Sequence, residues 1–193
     1  MPTDILTLVL DSTSPSEAGS ADRRHTAEQN PHLPDPPPTG LPSTTPHPPG
    51  SIDLRPVCRS DAEPLARVYL RSYPPAVGAA SMDEARAEIA ATFAGEYGVL
   101  RPDASFAATR DGCVVGAVLV VERSIWDEGL EGPFVIDLFV DPGARGLGLG
   151  AALVRAAIAT CAETGHPALS LRVGEGTSPA AYGVYERLGF RQA

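Results

Sequence analysis

The chain has 193 residues with a formal net charge of −9, a length that predicts one folded domain plus a tail. It contains no lysine, and neither residues 1–50 (six acids, two arginines) nor residues 51–193 (eighteen acids, thirteen arginines) are basic, which argues against nucleic acid and anionic membranes as partners. No apolar run reaches a membrane-spanning length, and Ile5 to Leu10 is too short for a signal-peptide core and follows Asp4 rather than basic residues. A cytoplasmic location is therefore expected. Three cysteines, Cys58, Cys113 and Cys161, are odd in number and lack CxxC spacing; they read as thiols in a reducing compartment, with no metal site.

Taken in order, residues 1–50 hold eleven of the twenty prolines and three of the four histidines. Such a segment buries too little apolar surface to offset its ordering entropy, so a disordered Pro/Ser/Thr-rich tail is expected. A proline-rich ligand for a partner is the functional reading; a linker or a mis-assigned start suits the composition better. From residue 51 the pattern becomes that of a folded domain. Ile52 to Val57 alternates as a strand, and Ser60-Asp61-Ala62-Glu63 reads as a capping box before a helix that Tyr73-Pro74-Pro75 stops. Ser81-Met82-Asp83-Glu84 opens a second helix running to about Gly95. Ser105 to Arg110 and Cys113 to Glu122 flank Asp111-Gly112, a two-residue hairpin turn. A loop over 124–132, with the only tryptophan, Trp126, precedes an apolar strand from Phe134 to Val140 that is broken only by Asp137. A helix from about Gly148 to Glu163 stops at Gly165, leaving His166 in the turn with a structural role expected. A strand from Ala168 to Val173 and a helix from Ser178 to Arg187 complete the pattern. Strand, helix and strand over 134–173 make a right-handed βαβ unit, which requires parallel strands.

Chemistry concentrates between the strand at Phe134 and the helix after Gly148. Asp141-Pro142-Gly143 ends the strand, and Arg145-Gly146-Leu147-Gly148-Leu149-Gly150 leads into an alanine- and leucine-rich helix. Glycines let a ligand approach the backbone, and the helix's first N–H groups and dipole favour an anion there. A nucleoside-triphosphate loop is excluded because it needs a lysine. Gly146, Gly148 and Ala151 satisfy the dinucleotide spacing, but the next strand carries Arg172 where an acidic residue is required, and twenty residues after Val173 leave no room for a second half-domain.

Arg145-x-x-Gly148-x-Gly150 instead resembles the R/Q-x-x-G-x-G/A signature of the GNAT superfamily of acyl-CoA-dependent N-acetyltransferases. Leu138 to Pro142 is similar to that family's fourth strand, and Tyr185-Glu186-Arg187-Leu188-Gly189-Phe190 resembles its Y-E-K-L-G-F ending; the likeness covers roughly Ser51 to Phe190. It implies a single α/β domain over 51–193 with a mixed, mostly antiparallel sheet. The fourth and fifth strands would be parallel and splayed, with helices on both faces. The implied activity is transfer of acetyl from acetyl-CoA to an amine of a small molecule or peptide, by direct attack on the thioester. By the same resemblance, Arg145, Gly146, Leu147, Gly148, Leu149 and Gly150 hold the diphosphate, and the backbone of Leu138, Phe139 and Val140 pairs with the pantetheine arm. Tyr185 supplies the thiolate's proton, against a reading in which it only packs. Asp137 is a candidate base, against a water chain.

Two departures from the family pattern stand out. Ser178, or Thr177, occupies the region where an asparagine often holds the cofactor. The sequence after Phe190 leaves the sixth strand a stub and the seventh missing. Those strands wall the acceptor site, so the pocket is open, completed by a second copy in a homodimer, or non-functional. A non-catalytic acyl-CoA-binding domain or truncated pseudoenzyme is the alternative.

Overall fold

In a computed structural model, which describes residues 4–10, 50–174 and 177–192, the described residues form one sheet, four α-helices and two short 3-10 turns. The strands are β1 (Asp4–Val9), β2 (Ile52–Pro56), β3 (Phe106–Arg110), β4 (Cys113–Val121), β5 (Phe134–Val140), β6 (Ala168–Val173) and β7 (Arg191–Gln192). The helices are α1 (Ala62–Ser72), α2 (Met82–Ala94), α3 (Leu149–Glu163) and α4 (Pro179–Arg187). Sheet order is β2-β3-β4-β5-β6-β1-β7, and β5–β6 is its parallel pair. The expected fourth and fifth strands are β5 and β6.

Strand alternation sorts the interior onto two faces. Val118 and Val120 of β4 pack with Leu153, Val154 and Ala157 of α3 and with Tyr185 of α4. Ala117 and Leu119 face the other way, onto Leu65 and Val68 of α1 and Ile89 of α2. The local signals behave as their chemistry requires. Ser81 Oγ accepts the Glu84 N–H at 3.2 Å, and the Glu84 carboxylate accepts the Ala80 N–H at 2.8 Å. Asp111 and Gly112 take φ of 51° and 78°, the doubly positive turn that matches strand twist in a tight hairpin.

Two expectations change. Asp4–Val9, read as part of a disordered tail, is a strand lying antiparallel between β6 and β7; residues 11–49, the rest of that tail, lie outside the described residues. After α4 only the two-residue β7 follows among the described residues, and the N-terminal segment takes the place in the sheet between it and β6. Its partners lie more than 150 positions away, where local pattern carries no signal. The capping box ahead of α1 also shifts. Arg55 draws the Asp61 carboxylate into a bidentate pair at 2.7 Å, where it also accepts the Cys58 N–H at 2.9 Å. Glu63 turns to Arg67 and Arg86 instead.

Candidate active site

The parallel pair β5–β6 is short. Phe134 sits opposite Ser170 and Val135 opposite Leu171, and there the pairing ends. On its other edge β5 stays paired with β4 to Val140, with a register shift opposite Leu119/Val120 that makes Ile136 an extra residue. A bulge bends its strand and re-aims the side chains beyond it. Strands β5 and β6 thus separate from Ile136 onward, leaving a slot along Leu138–Val140.

Hydrogen-bond parity shows which groups face that slot. The Asp141 N–H donates to Val115 O at 2.8 Å. By antiparallel alternation, Phe139 and Asp137 then pair their backbones with β4, and Leu138 and Val140 turn theirs to the open side. The carbonyls there meet side chains: the Tyr73 hydroxyl is 3.1 Å from Leu138 O, and Arg145 Nε donates to Val140 O at 3.2 Å. Of the three residues expected to pair through their backbone, Leu138 and Val140 turn theirs to the open side and Phe139 turns its own to β4. Phe139 instead contributes its ring, packed edge-on against Tyr69 at 5.6 Å and Tyr73 at 6.4 Å.

The glycine turn lies at the end of the slot. A 3-10 turn over Pro142–Ala144, capped by the Asp141 carboxylate on the Gly143 N–H, leads to Arg145. Gly146 and Gly148 take φ of 80° and 76°, which L side chains adopt only with strain, and Gly148 caps α3. A Cβ built on Gly146, Gly148 or Gly150 meets nothing within 4 Å, so the surface over these amides is open to a ligand. Leu147 is exposed at the tip and Leu149 is buried beneath the turn. Arg145 itself does not reach outward: besides Val140 O it donates to Ser72 O at 2.8 Å. Arg71 pairs with Asp141 at 2.6 Å. The end of α1 is thus fastened to the end of β5 and to the first residue of the turn.

Asp137 shares the α1/α2 side of β5, half-buried, and accepts from the Tyr73 hydroxyl at 2.6 Å. Burial pushes its carboxyl up to about 7; the Tyr73 hydrogen bond opposes that rise and the charge of Glu88 adds to it. Tyr185, 7% exposed on α4, stacks edge-on with Phe190 at 5.8 Å. Burial and then the Asp137 charge raise its phenol well above the ordinary value, so it stays protonated through neutral pH. Burial first and then the charge of Asp137 raise the phenols of Tyr69 and Tyr73 in the same way, while Tyr97 is raised mainly by its hydrogen bond to Glu88 and least by Asp137. These groups form one electrostatic cluster about the slot.

Tyr73 and Glu88 carry no such role in the sequence reading, whereas Tyr97 lies in the segment Phe93 to Leu100, which that reading offers as a lining of the acceptor entrance or as apolar packing. Tyr97 donates to Glu88 at 2.6 Å, and Trp126 stacks on Tyr97 at 6.1 Å. The Trp126 loop is anchored by Asp127, which accepts from Ser124 at 2.6 Å and pairs with Arg172 at 2.5 Å. For Tyr73 the one local signal is Pro74, which favours an extended residue before it; Tyr73 has φ −113° and ψ 147°. Ser178 caps α4 by accepting the Ala181 N–H at 3.2 Å, and Thr177 Oγ1 accepts the Gly174 N–H at 3.0 Å. Both hydroxyls keep a proton to donate. His166 contacts the Arg101 side chain beyond the opposite end of α3, away from the glycine turn. Among the described residues no group of three or more His, Cys, Asp or Glu is placed to hold a metal ion.

Comparison with known proteins agrees with this geometry. The chain resembles PH1933 from Pyrococcus horikoshii OT3, with TM-score 0.61 and 22% identity over 74% of this chain and 90% of that one. A GNAT family acetyltransferase from Brucella melitensis, solved with acetyl-CoA, gives TM-score 0.54 and 23% identity over 74% and 84%. A GCN5-related N-acetyltransferase from Sphaerobacter thermophilus gives TM-score 0.60 and 17% identity. That match covers 99% of this chain, which spans about half (48%) of that protein. No curated protein matches. The profile of the acetyltransferase (GNAT) family matches residues 62–190, a span from the first residue of α1 to the end of the Tyr185–Phe190 motif, and the chain belongs to that family.

Proposed function

We propose that this protein transfers the acetyl group of acetyl-CoA to a primary amine of a small molecule or peptide. The observation that carries the reading is an open glycine turn at the end of a slot edged by the backbone of Leu138 and Val140. Acetyl-CoA supplies acetyl activated as a thioester. Amides from Gly146 to Gly150, with the start of α3, hold its diphosphate. The N–H groups of Leu138 and Val140 bind the amides of its arm and offer a donor to the developing oxyanion.

Asp137, with its carboxyl at about 7, is about half ionised at neutral pH and suits removal of a proton from the incoming ammonium. The amine nitrogen then bonds to the acetyl carbon as the carbon–sulfur bond breaks, and Tyr185 holds the proton that the departing thiolate takes. Glu88, Tyr97 and Trp126 wall the acceptor side. The cellular site is proposed to be the cytoplasm, a reading supported by the free thiols of Cys58, Cys113 and Cys161 and tested by fractionation.

The test measures thiol release from acetyl-CoA over a panel of amines and peptides, alongside thermal stabilisation by acetyl-CoA. Stabilisation with turnover on at least one amine is the expected result. Stabilisation without turnover would favour a non-catalytic acyl-CoA binder.

A further inference from the structure

Strand β6 lines one side of the slot, yet only Phe134 and Val135 join it to β5. Its other edge is paired with β1 along the full length, Asp4 opposite Val173 to Val9 opposite Ala168. Thr7 Oγ1 meets Ser170 Oγ at 2.9 Å, and the Leu10 N–H donates to Pro167 O at 2.7 Å. Strand β7 pairs with β1 through Leu6 and Thr7, at the sheet's end. Both the slot's far wall and the segment after α4 therefore hang on β1.

Packing extends this to the candidate acid. Leu6 and Leu10 are buried with Val173, Tyr185 and Phe190, and Leu8 packs beside them. A Cβ on Gly189 would lie 3.2 Å from Leu8 Cδ1, so that glycine, at φ 94°, gives the leucine its place. Phe190 in turn holds the Tyr185 ring.

We propose that β1 is a positioning strand for the acetyl-transfer site, held as a docked extended peptide. It keeps β6 parted from β5 and seats Tyr185 through Leu8 and Phe190, and pairing and packing alone retain it. The statement about Tyr185 rests on the function proposed above; the statement about docking does not. Strand addition of this kind draws affinity from main-chain hydrogen bonds and specificity from alternate side chains, and β1 has both, through Leu6, Leu8 and Leu10.

The experiment inserts a protease site within residues 11–49 of the full chain and cuts it. The expected result is that the fragment bearing β1 co-elutes with the body on gel filtration and that coenzyme affinity and kcat stay within about threefold of the uncut protein. Loss of the fragment at micromolar concentration from a body that still binds acetyl-CoA would overturn the proposal. In the cut protein Thr7→Pro, which removes an N–H from a strand paired on both edges, should release the fragment and weaken acetyl-CoA binding at least tenfold; a synthetic peptide of residues 1–12 should restore it. Unchanged binding after release would overturn the claim. Should Thr7→Pro fail to fold, Leu8→Ala decides: kcat falls about three- to tenfold with KM for acetyl-CoA unchanged, and an unaltered kcat refutes the seating of Tyr185. If no amine is turned over by the intact enzyme, the function fails, and fragment retention with coenzyme binding still decides the docking claim.

Discussion

Replacing Tyr73 with phenylalanine removes one hydroxyl and keeps the ring that packs on Tyr69 at 5.2 Å and on Phe139. The lost interaction is the 2.6 Å hydrogen bond to Asp137 Oδ1, and it favours the ionised carboxylate. Hydrogen bonds to charged groups contribute about 1.5–3 kcal/mol, and one pKa unit corresponds to about 1.4 kcal/mol. Asp137 should therefore climb about 1–2 units above its value of about 7, its other charged and titratable neighbours (Glu88, Tyr69, Tyr97 and Tyr185) being unchanged. At neutral pH the ionised fraction falls from about half to between about a tenth and a hundredth. In kcat/KM for the amine against pH, measured at saturating acetyl-CoA, the acidic limb should move up by that amount while the alkaline plateau is approached late. An acidic limb that stays in place in Tyr73→Phe would refute Asp137 as the group that takes the proton.

The remaining expectations follow from the same contacts. Tyr185→Phe should lower kcat about a hundredfold, the scale of a lost general acid, with acetyl-CoA affinity by calorimetry unchanged; equal turnover would leave Tyr185 a packing residue only. Asp137→Asn should abolish turnover near neutral pH yet stabilise the fold. The native carboxyl titrates at about 7 and the unfolded one near 3.9, so the folded state binds more protons between those values and native stability drops as pH rises through them. The variant escapes this drop, which about three units make on the order of 4 kcal/mol, and its Tm at pH 8 should exceed wild type by about 8–16 °C, with no gain near pH 4. Asp61 is the opposite case: the Arg55 pair first, and the Cys58 N–H, hold its carboxyl down at about 2. Its contribution is complete above about pH 4 and lost as pH falls toward 2, so Asp61→Asn should narrow the gap between neutral and acid stability in urea titrations.

Between Ile52 and Phe190 the fold was legible because its signals are local. The Asp111-Gly112 turn, the Ser81 cap and the glycines around α3 each act within a few residues, and βαβ handedness leaves one way to join β5 to β6. Strand β1 was not legible, since a six-residue apolar run has no preferred partner until a groove exists to receive it. The bulge at Ile136 escaped detection for a related reason: it arises from register with β4, and it decides which way Asp137 faces. The glycine turn ahead of α3 could be read from residue order alone. The roles of Tyr73 and Glu88 could not, because each depends on a through-space neighbour outside its own element.

Asp4 in the first strand and Gln192 in the last meet through their side chains, Gln192 Nε2 donating to Asp4 Oδ1 at 3.2 Å. A short bridge joining those two strands, with a new opening cut near Gly50, would yield a circular permutant that travels the sheet in a different chain order while every strand keeps its neighbours. The architecture is thus indifferent to which end of the gene encodes its penultimate strand, provided the finished sheet is the same.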